Sequence, residues 1–314
     1  IQRFFTDQNA FSILPANVDY RPLLLVSFGL NYELSSALHG DGYDPRTWHW
    51  LNMALHWFAC VGLFFVGSML IGTGRLSPLP RTSARAGEWL SLAAALVFAI
   101  HPITTECVNY ISARSSLMPA AFLLPALAVY LAVLAGRLPR WGLAFSVLLA
   151  ISAMLTKVEA VSFLGVVVLA EMFLAPAQQE HPLWRRPLQL ESWIRLAPFV
   201  VVTAAYLWLW KHMSTLDQNP LRASADMTGG VYLLTQVRAW WHYIAEAIAP
   251  VNLYADDTAY PVSGGFIPVE QRAPGQGPYS VALALADPRV WLAVAGWVVA
   301  GVACLRVSRV FPAA

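Results

Sequence analysis

Long apolar stretches almost free of charge recur along this chain, and no other feature constrains its fold as strongly. A bilayer core needs about 20 apolar residues to cross it. Inside hydrocarbon the backbone must satisfy its own amides, so such stretches are helices. Seven segments qualify: 48–72, 88–100, 117–136, 141–156, 160–174, 194–210 and 290–307. Those at 88–100, 141–156 and 160–174 are short and need accommodation by the bilayer or by neighbouring helices. Only 12% of the 314 residues are charged, against about 25% in a soluble domain. That excludes an ordinary soluble globule and a disordered chain. A net charge of +2 gives no strong pull towards polyanions, which excludes a nucleic-acid binder. The chain reads as an all-α polytopic membrane protein.

The few charges segregate. Arg75, Arg81 and Arg85 fill one connection, Arg137 and Arg140 a second, Arg185 and Arg186 a third, and Arg306 and Arg309 close the last apolar segment. The alternate connections hold most of the acids, including Asp7, Asp19, Glu33, Asp41, Asp44, Glu106, Asp256, Asp257 and Asp287. The positive-inside rule makes the arginine loops cytoplasmic, and all of them agree with one alternating topology. Residues 1–47 then form a first outer loop and 211–287 a long one, within a single transmembrane domain spanning 1–314. The first residue is Ile1, with no Met or basic leader, so the expectation is an incomplete domain at both ends. Within 232–248, Arg238, His242 and Glu246 recur every four residues, the spacing of a polar stripe on a helix at the membrane surface or against a cavity. Three cysteines without paired spacing read as packing residues.

Ionisable groups at membrane depth are costly and default to functional candidates. His49, Asn52 and His56 share one face of the first apolar segment, which suits either a cavity lining or hydrogen bonding between helices. His49 and His56 stand about 10 Å apart by helix rise, too far for one metal. In the run from His101-Pro102 to Arg114, a following helix would put Glu106, Asn109, Tyr110 and Arg114 roughly on one face. Arginine there suits a phosphate held by two bonds; the alternative is an interfacial helix with a Glu–Arg pair. Lys157 and Glu159 sit in a very short outer turn, facing either a lipid pyrophosphate or simply snorkelling to the interface. Asp19-Tyr20-Arg21-Pro22 reads as the start of an interfacial helix, with proline in its first turn. The adjacent Asp256 and Asp257 form a candidate divalent-cation site or a solvated turn. No phosphate loop, nucleophile elbow or zinc helix is present.

Five short motifs in order carry a resemblance: Tyr20-Arg21-Pro22-Leu23 with Leu30-Asn31-Tyr32, His49-Trp50-Leu51-Asn52 with His56, His101-Pro102 with Glu106 and Arg114, Leu155-Thr156-Lys157, and Pro250-Val251-Asn252-Leu253. Together they resemble the GT-C membrane glycosyltransferases, in the O-mannosyltransferase-like branch that often carries tetratricopeptide repeats. The resemblance implies a GT-C-like bundle of about seven visible transmembrane helices with outer-face amphipathic helices. It implies transfer of a sugar from a polyprenyl-phosphate donor to a protein, glycan or lipid acceptor at the extracytoplasmic face, among membrane lipids and within a possible larger complex. In that family the acidic base lies upstream of the Tyr-Arg-Pro block, leaving Asp19 and Asp7 as the early carboxylates of this chain. By the same resemblance Arg21, Arg114 and Lys157 neutralise the donor phosphate. His101, Glu106 and Tyr110 line the sugar pocket, and His49, Asn52 and His56 border the lipid groove. The family's acid directly after the lysine is replaced by Val158, with Glu159 one place later. Two alternatives are a non-catalytic GT-C-derived subunit and a lipid or glycan transporter. The short loops lean towards a bacterial inner membrane.

Overall fold

A computed structural model describes residues 2–7, 10, 19–71, 84–175, 181–214, 229–251 and 281–310. Among these, every regular element is helical: α1 (Arg3–Thr6), α2 (Pro22–His39), α3 (Pro45–Ile71), α4 (Ala84–Ile100), α5 (Thr105–Asn109), α6 (Arg114–Leu134), α7 (Gly142–Met154), α8 (Phe163–Leu174), α9 (Leu190–Met213), α10 (Gly229–Ile248), α11 (Val281–Ala286) and α12 (Pro288–Val310). Each of the seven apolar segments falls on a helix. Three of these helices are long and apolar enough to cross a membrane, Pro45–Ile71, Ile111–Leu134 and Leu190–Met213. A fourth crossing exists if Arg85–Ile100 and Pro102–Asn109, bent by 52°, count as one. The chain is an integral membrane protein, and the outward faces agree: Trp57, Phe58 and Phe65 on α3, Leu96 and Val97 on α4, and Val201 and Trp208 on α9 are exposed apolar side chains.

The chain divides into two compact units, residues 1–216 with 310–314, and residues 217–309. In the first, α6 is the buried axis. Tyr130 and Leu131 of α6 pack with Phe163 and Val167 of α8 and with Phe199 of α9. Phe199 meets the rings of Tyr130 and Phe163 edge-on, with centroids 5.6 and 5.8 Å away. Helix α3 reaches α6 closely because Gly62 has no side chain: a Cβ there would lie 2.6 Å from Pro125 Cδ and 2.8 Å from its nitrogen. Ser146 of α7 donates to the Ala126 carbonyl of α6 at 2.8 Å.

Helix α2 begins as the sequence suggests. Arg21 is its N-cap and Pro22, which has no N–H to lose, occupies the first turn. Gly40 ends it in the left-handed conformation, φ 71°, with its N–H bonded to Ser36 O at 2.9 Å. Asp44 Oδ1 accepts the Arg46 N–H at 3.0 Å at the start of α3.

The second unit pairs α10 with α12. The polar stripe forms as its spacing implies: His242 meets Glu246 at 3.1 Å and Arg238 meets Asp287 at 3.4 Å. Trp241 and Trp297 donate across to the carbonyls of Ala293 and Val237.

Candidate functional site

Arg114 stands at the first turn of α6 and is fully buried. Its Nε donates to Asn52 Oδ1 at 2.8 Å, and Nη2 donates to Asn31 Oδ1 at 2.6 Å and to Trp48 O at 3.2 Å. Nη1 reaches Ser27 O at 3.4 Å. The rings of Phe28 and Trp48 lie 5.0 and 5.2 Å from the guanidinium carbon. A guanidinium has donors only, so it orients both amides with oxygen inward. That leaves Asn31 Nδ2 without a partner among the described residues. Asn52 Nδ2 is turned the other way and donates to Val108 O at 3.1 Å. Arg114 thus joins α2, α3 and α6 through these bonds.

The reason is local. Tyr110 is extended, φ −87° and ψ 112°, between α5 and a 3-10 turn at Ile111–Ala113. No continuous helix runs from Glu106 to Arg114, so the expected shared face does not exist. Glu106 and Tyr110 are exposed while Arg114 points inward.

A second cluster forms where α2 begins and where α7 and α9 end. The Leu23 N–H bonds to Leu155 O at 3.0 Å, which brings Arg21 beside the Lys157 turn. Asp19 is ion-paired with Arg21, and its other oxygen accepts from Trp210 Nε1 of α9 at 2.9 Å. Asp19 is only 12% exposed, and the Arg21 side chain 30%. Lys157 Nζ donates to Ser116 Oγ at 3.1 Å and lies 3.7 Å from Glu159. Tyr20, buried beneath, packs with Ala160, Met154 and Tyr206. Burial pushes its phenol up, and its hydroxyl donates to Phe5 O of α1 at 3.4 Å. Asp7 closes α1, its N–H bonded to Arg3 O at 3.0 Å. Chain ends assigned to one face by the charge pattern thus converge.

The remaining candidates divide between capping and groove walls. His101 Nδ1 accepts the Ile103 N–H at 3.2 Å and caps the turn at Pro102–Thr104. His56 Nε2 lies 3.1 Å from Ala99 O of α4, the interhelical role, and also lines a lateral groove of about 500 Å³ with Met53, Trp57 and Leu96. His49 is half-buried. Tyr110 lines an aromatic groove of about 600 Å³ with Phe28, Tyr32, Tyr43 and Trp48. Among the described residues no group of three His, Cys, Asp or Glu lies close enough to hold a metal ion. Asp256 and Asp257 lie outside the described residues.

One buried carboxylate has no counterpart in the sequence reading. Glu171 of α8 receives Arg195 Nε and Nη2 at 2.6 and 2.8 Å, the Tyr130 hydroxyl at 2.6 Å and the Ser192 hydroxyl at 2.7 Å. All its acceptor capacity goes to α6 and α9. Nearby, Arg186 Nη1 donates to Met172 O at 3.0 Å. This end of the bundle carries the connections with Arg137 and Arg140 and with Arg185 and Arg186, opposite the Asp19 cluster.

An α-helical membrane bundle with an acid–base cluster at one end is the class these features define, and sequence comparison adds to it. The chain is homologous to animal proteins named protein O-mannosyl-transferase TMTC, which bears out the resemblance to the O-mannosyltransferase-like branch of the GT-C glycosyltransferases. It is 38% identical to human protein O-mannosyl-transferase TMTC4 over 105 residues, 33% of this chain and 13% of that protein. It is 30% identical to human TMTC3 over 161 residues, 50% of this chain and 15% of that protein. It is 30% identical to Drosophila melanogaster Tmtc3 over 185 residues, 54% and 18% of the two chains. The chain therefore spans under a fifth of the length of these relatives. No protein-family profile and no solved structure matches it. Because these relatives are animal proteins, they lend no support to a bacterial inner membrane.

Proposed function

We propose that this chain is the membrane part of a glycosyltransferase that moves a sugar from a polyprenyl-phosphate donor to a protein hydroxyl at the extracytoplasmic face. The relatives' name suggests mannose. The observation that carries the reading is the convergence of Asp19, Arg21, Lys157 and Glu159 at one end of the bundle, in a chain homologous to protein O-mannosyl-transferases.

Glycosyl transfer from a lipid phosphate needs two things at the reacting centre. The acceptor hydroxyl must lose a proton, and the leaving phosphate gains charge in the transition state. Asp19 supplies a carboxylate held in place by Arg21 and the Trp210 indole. Arg21 and Lys157 supply positive charge, and both keep partial access to solvent. In this reading Arg114 has a structural role and leaves the list of phosphate ligands.

The alternative, a non-catalytic subunit that keeps the fold as a scaffold, is favoured by one observation: among the described residues, the two fully buried charges, Arg114 and Glu171, are spent on joining helices. Purified full-length protein in liposomes with a labelled polyprenyl-phosphate mannose and a Ser/Thr peptide separates the two. Transfer to the peptide is expected, and its loss in Arg21→Ala and Lys157→Ala. A folded protein without turnover would establish the scaffold.

A further inference from the structure

Tyr206 of α9 is 6% exposed, and its hydroxyl is buried with no hydrogen-bond partner among the described residues. A buried polar group left unpaired is costly, and native structures contain few. Phenylalanine would fill the same space without that cost, so the hydroxyl calls for an explanation.

Its position supplies one. Tyr206 lies one turn, about 6 Å of helix rise, before Trp210, on the same face of α9. Trp210 holds Asp19. The ring packs against Tyr20 and Ala160, the residue just beyond Glu159. The charges acting on the hydroxyl are those of Asp19 first, then Arg21 and Glu159. The unsatisfied donor thus lies in the buried layer that holds Tyr20, next to the Asp19–Arg21 pair, and Ala160, next to Glu159, beside an apolar groove lined by Met154, Leu155 and Leu209.

We infer that the Tyr206 hydroxyl is a ligand-binding donor, which completes its hydrogen bond on an oxyanion of phosphate chemistry held between Arg21 and Lys157. This rests on the proposed lipid-phosphate donor and deepens it, by naming a neutral donor beside the charged Arg21 and Lys157. A phenol gives one directed bond to a phosphate oxygen as the charge on that oxygen grows, and adds no positive charge that would hold the product afterwards. The structure also provides an internal control. Thr203, three residues earlier and so further along α9 from Trp210, is 6% exposed and has an equally unpartnered hydroxyl.

Full-length protein in nanodiscs decides the matter. Binding of polyprenyl phosphate, and separately of inorganic phosphate, is measured for wild type, Tyr206→Phe and Thr203→Val, alongside thermal unfolding without ligand. Tyr206→Phe is expected to keep or raise the unfolding temperature while weakening polyprenyl-phosphate binding about tenfold or more; Thr203→Val is expected to leave binding unchanged. A parallel loss for inorganic phosphate assigns the bond to the phosphate group alone. A loss confined to the lipid form assigns it to a phosphate that the chain must first position. Equal binding by wild type and Tyr206→Phe overturns the inference but leaves the donor reading standing, as does an equal loss in Thr203→Val. If wild type binds no polyprenyl phosphate, the donor reading fails and the inference falls with it.

Discussion

Arg114 Nε and Asn52 Oδ1 meet at 2.8 Å between two helices 62 residues apart in sequence, and neither side chain is exposed. The buried guanidinium donates to two amide oxygens and two backbone carbonyls, with no carboxylate among these acceptors. Removing a group from such a site leaves its partners buried and unpaired. Arg114→Ala is expected to destabilise the protein by about 3–5 kcal/mol. Arg114→Lys is expected to recover only part of that, since an ammonium lacks the planar fork. Thermal unfolding in detergent measures both. A variant that unfolds like wild type yet loses donor binding would restore Arg114 to the phosphate site.

Glu171 and Arg195 form the opposite lock. Glu171→Gln removes the charge that faces Arg195 and is expected to cost about 3 kcal/mol, whereas Glu171→Leu with Arg195→Met together should be much milder. A double-mutant cycle reads the coupling, expected above about 1.5 kcal/mol.

Asp19→Asn keeps an oxygen for the Trp210 indole and removes only the negative charge. Peptide mannosylation is expected to fall about a hundredfold or more, with the unfolding temperature nearly unchanged. Turnover near the wild-type rate would transfer the base to another carboxylate.

Gly62→Ala tests the contact of α3 with α6. The new methyl group would press on Pro125, an atom set with no freedom to rotate away, and overpacking of this kind costs about 1–3 kcal/mol. Gly165, where nothing lies within 4 Å of an added Cβ, is the matched control and should tolerate alanine.

The Arg46 side chain beside Asp44 holds its carboxyl down at about 2. A depressed carboxyl contributes stability that is present above its ordinary value near 4 and lost as pH falls towards 2. The difference in stability between wild type and Asp44→Asn should therefore be constant from neutral pH to about 5, shrink as pH falls towards about 2, and vanish only below it. Acid titration of the unfolding temperature checks it, and the contribution is expected to be small because both groups face water.

The helices were legible because membrane-depth helices carry their signal in each segment alone, as runs of apolar residues. Charge segregation likewise foretold that Asp19, Arg21 and Lys157 would share one end. The shared face expected for Glu106, Tyr110 and Arg114 does not form, because its spacing assumes one helix running through Tyr110. The extended backbone at Tyr110 reverses which side of the chain faces inward, and no residue pattern at 105–113 announces it. Glu171 escaped notice for a different reason. One acid in the apolar run 160–174 and one arginine near the start of 194–210 are unremarkable separately. Only their pairing has meaning, and pairing is a property of packing. Tyr206 resembles any aromatic residue of an apolar helix until the environment of its hydroxyl is known.

The two buried charges also differ in chain order. Ser27, Asn31, Trp48 and Asn52 all precede Arg114. As synthesis proceeds, every acceptor for the guanidinium has left the ribosome before the arginine itself, so the receptor can be assembled when the charge enters the bilayer. Glu171 has only Tyr130 behind it; Ser192 and Arg195 come 21 and 24 residues later. The carboxylate must wait for the next helix. Nascent chains halted between 171 and 195 would hold an unneutralised acid at membrane depth, which makes that interval the vulnerable step of insertion.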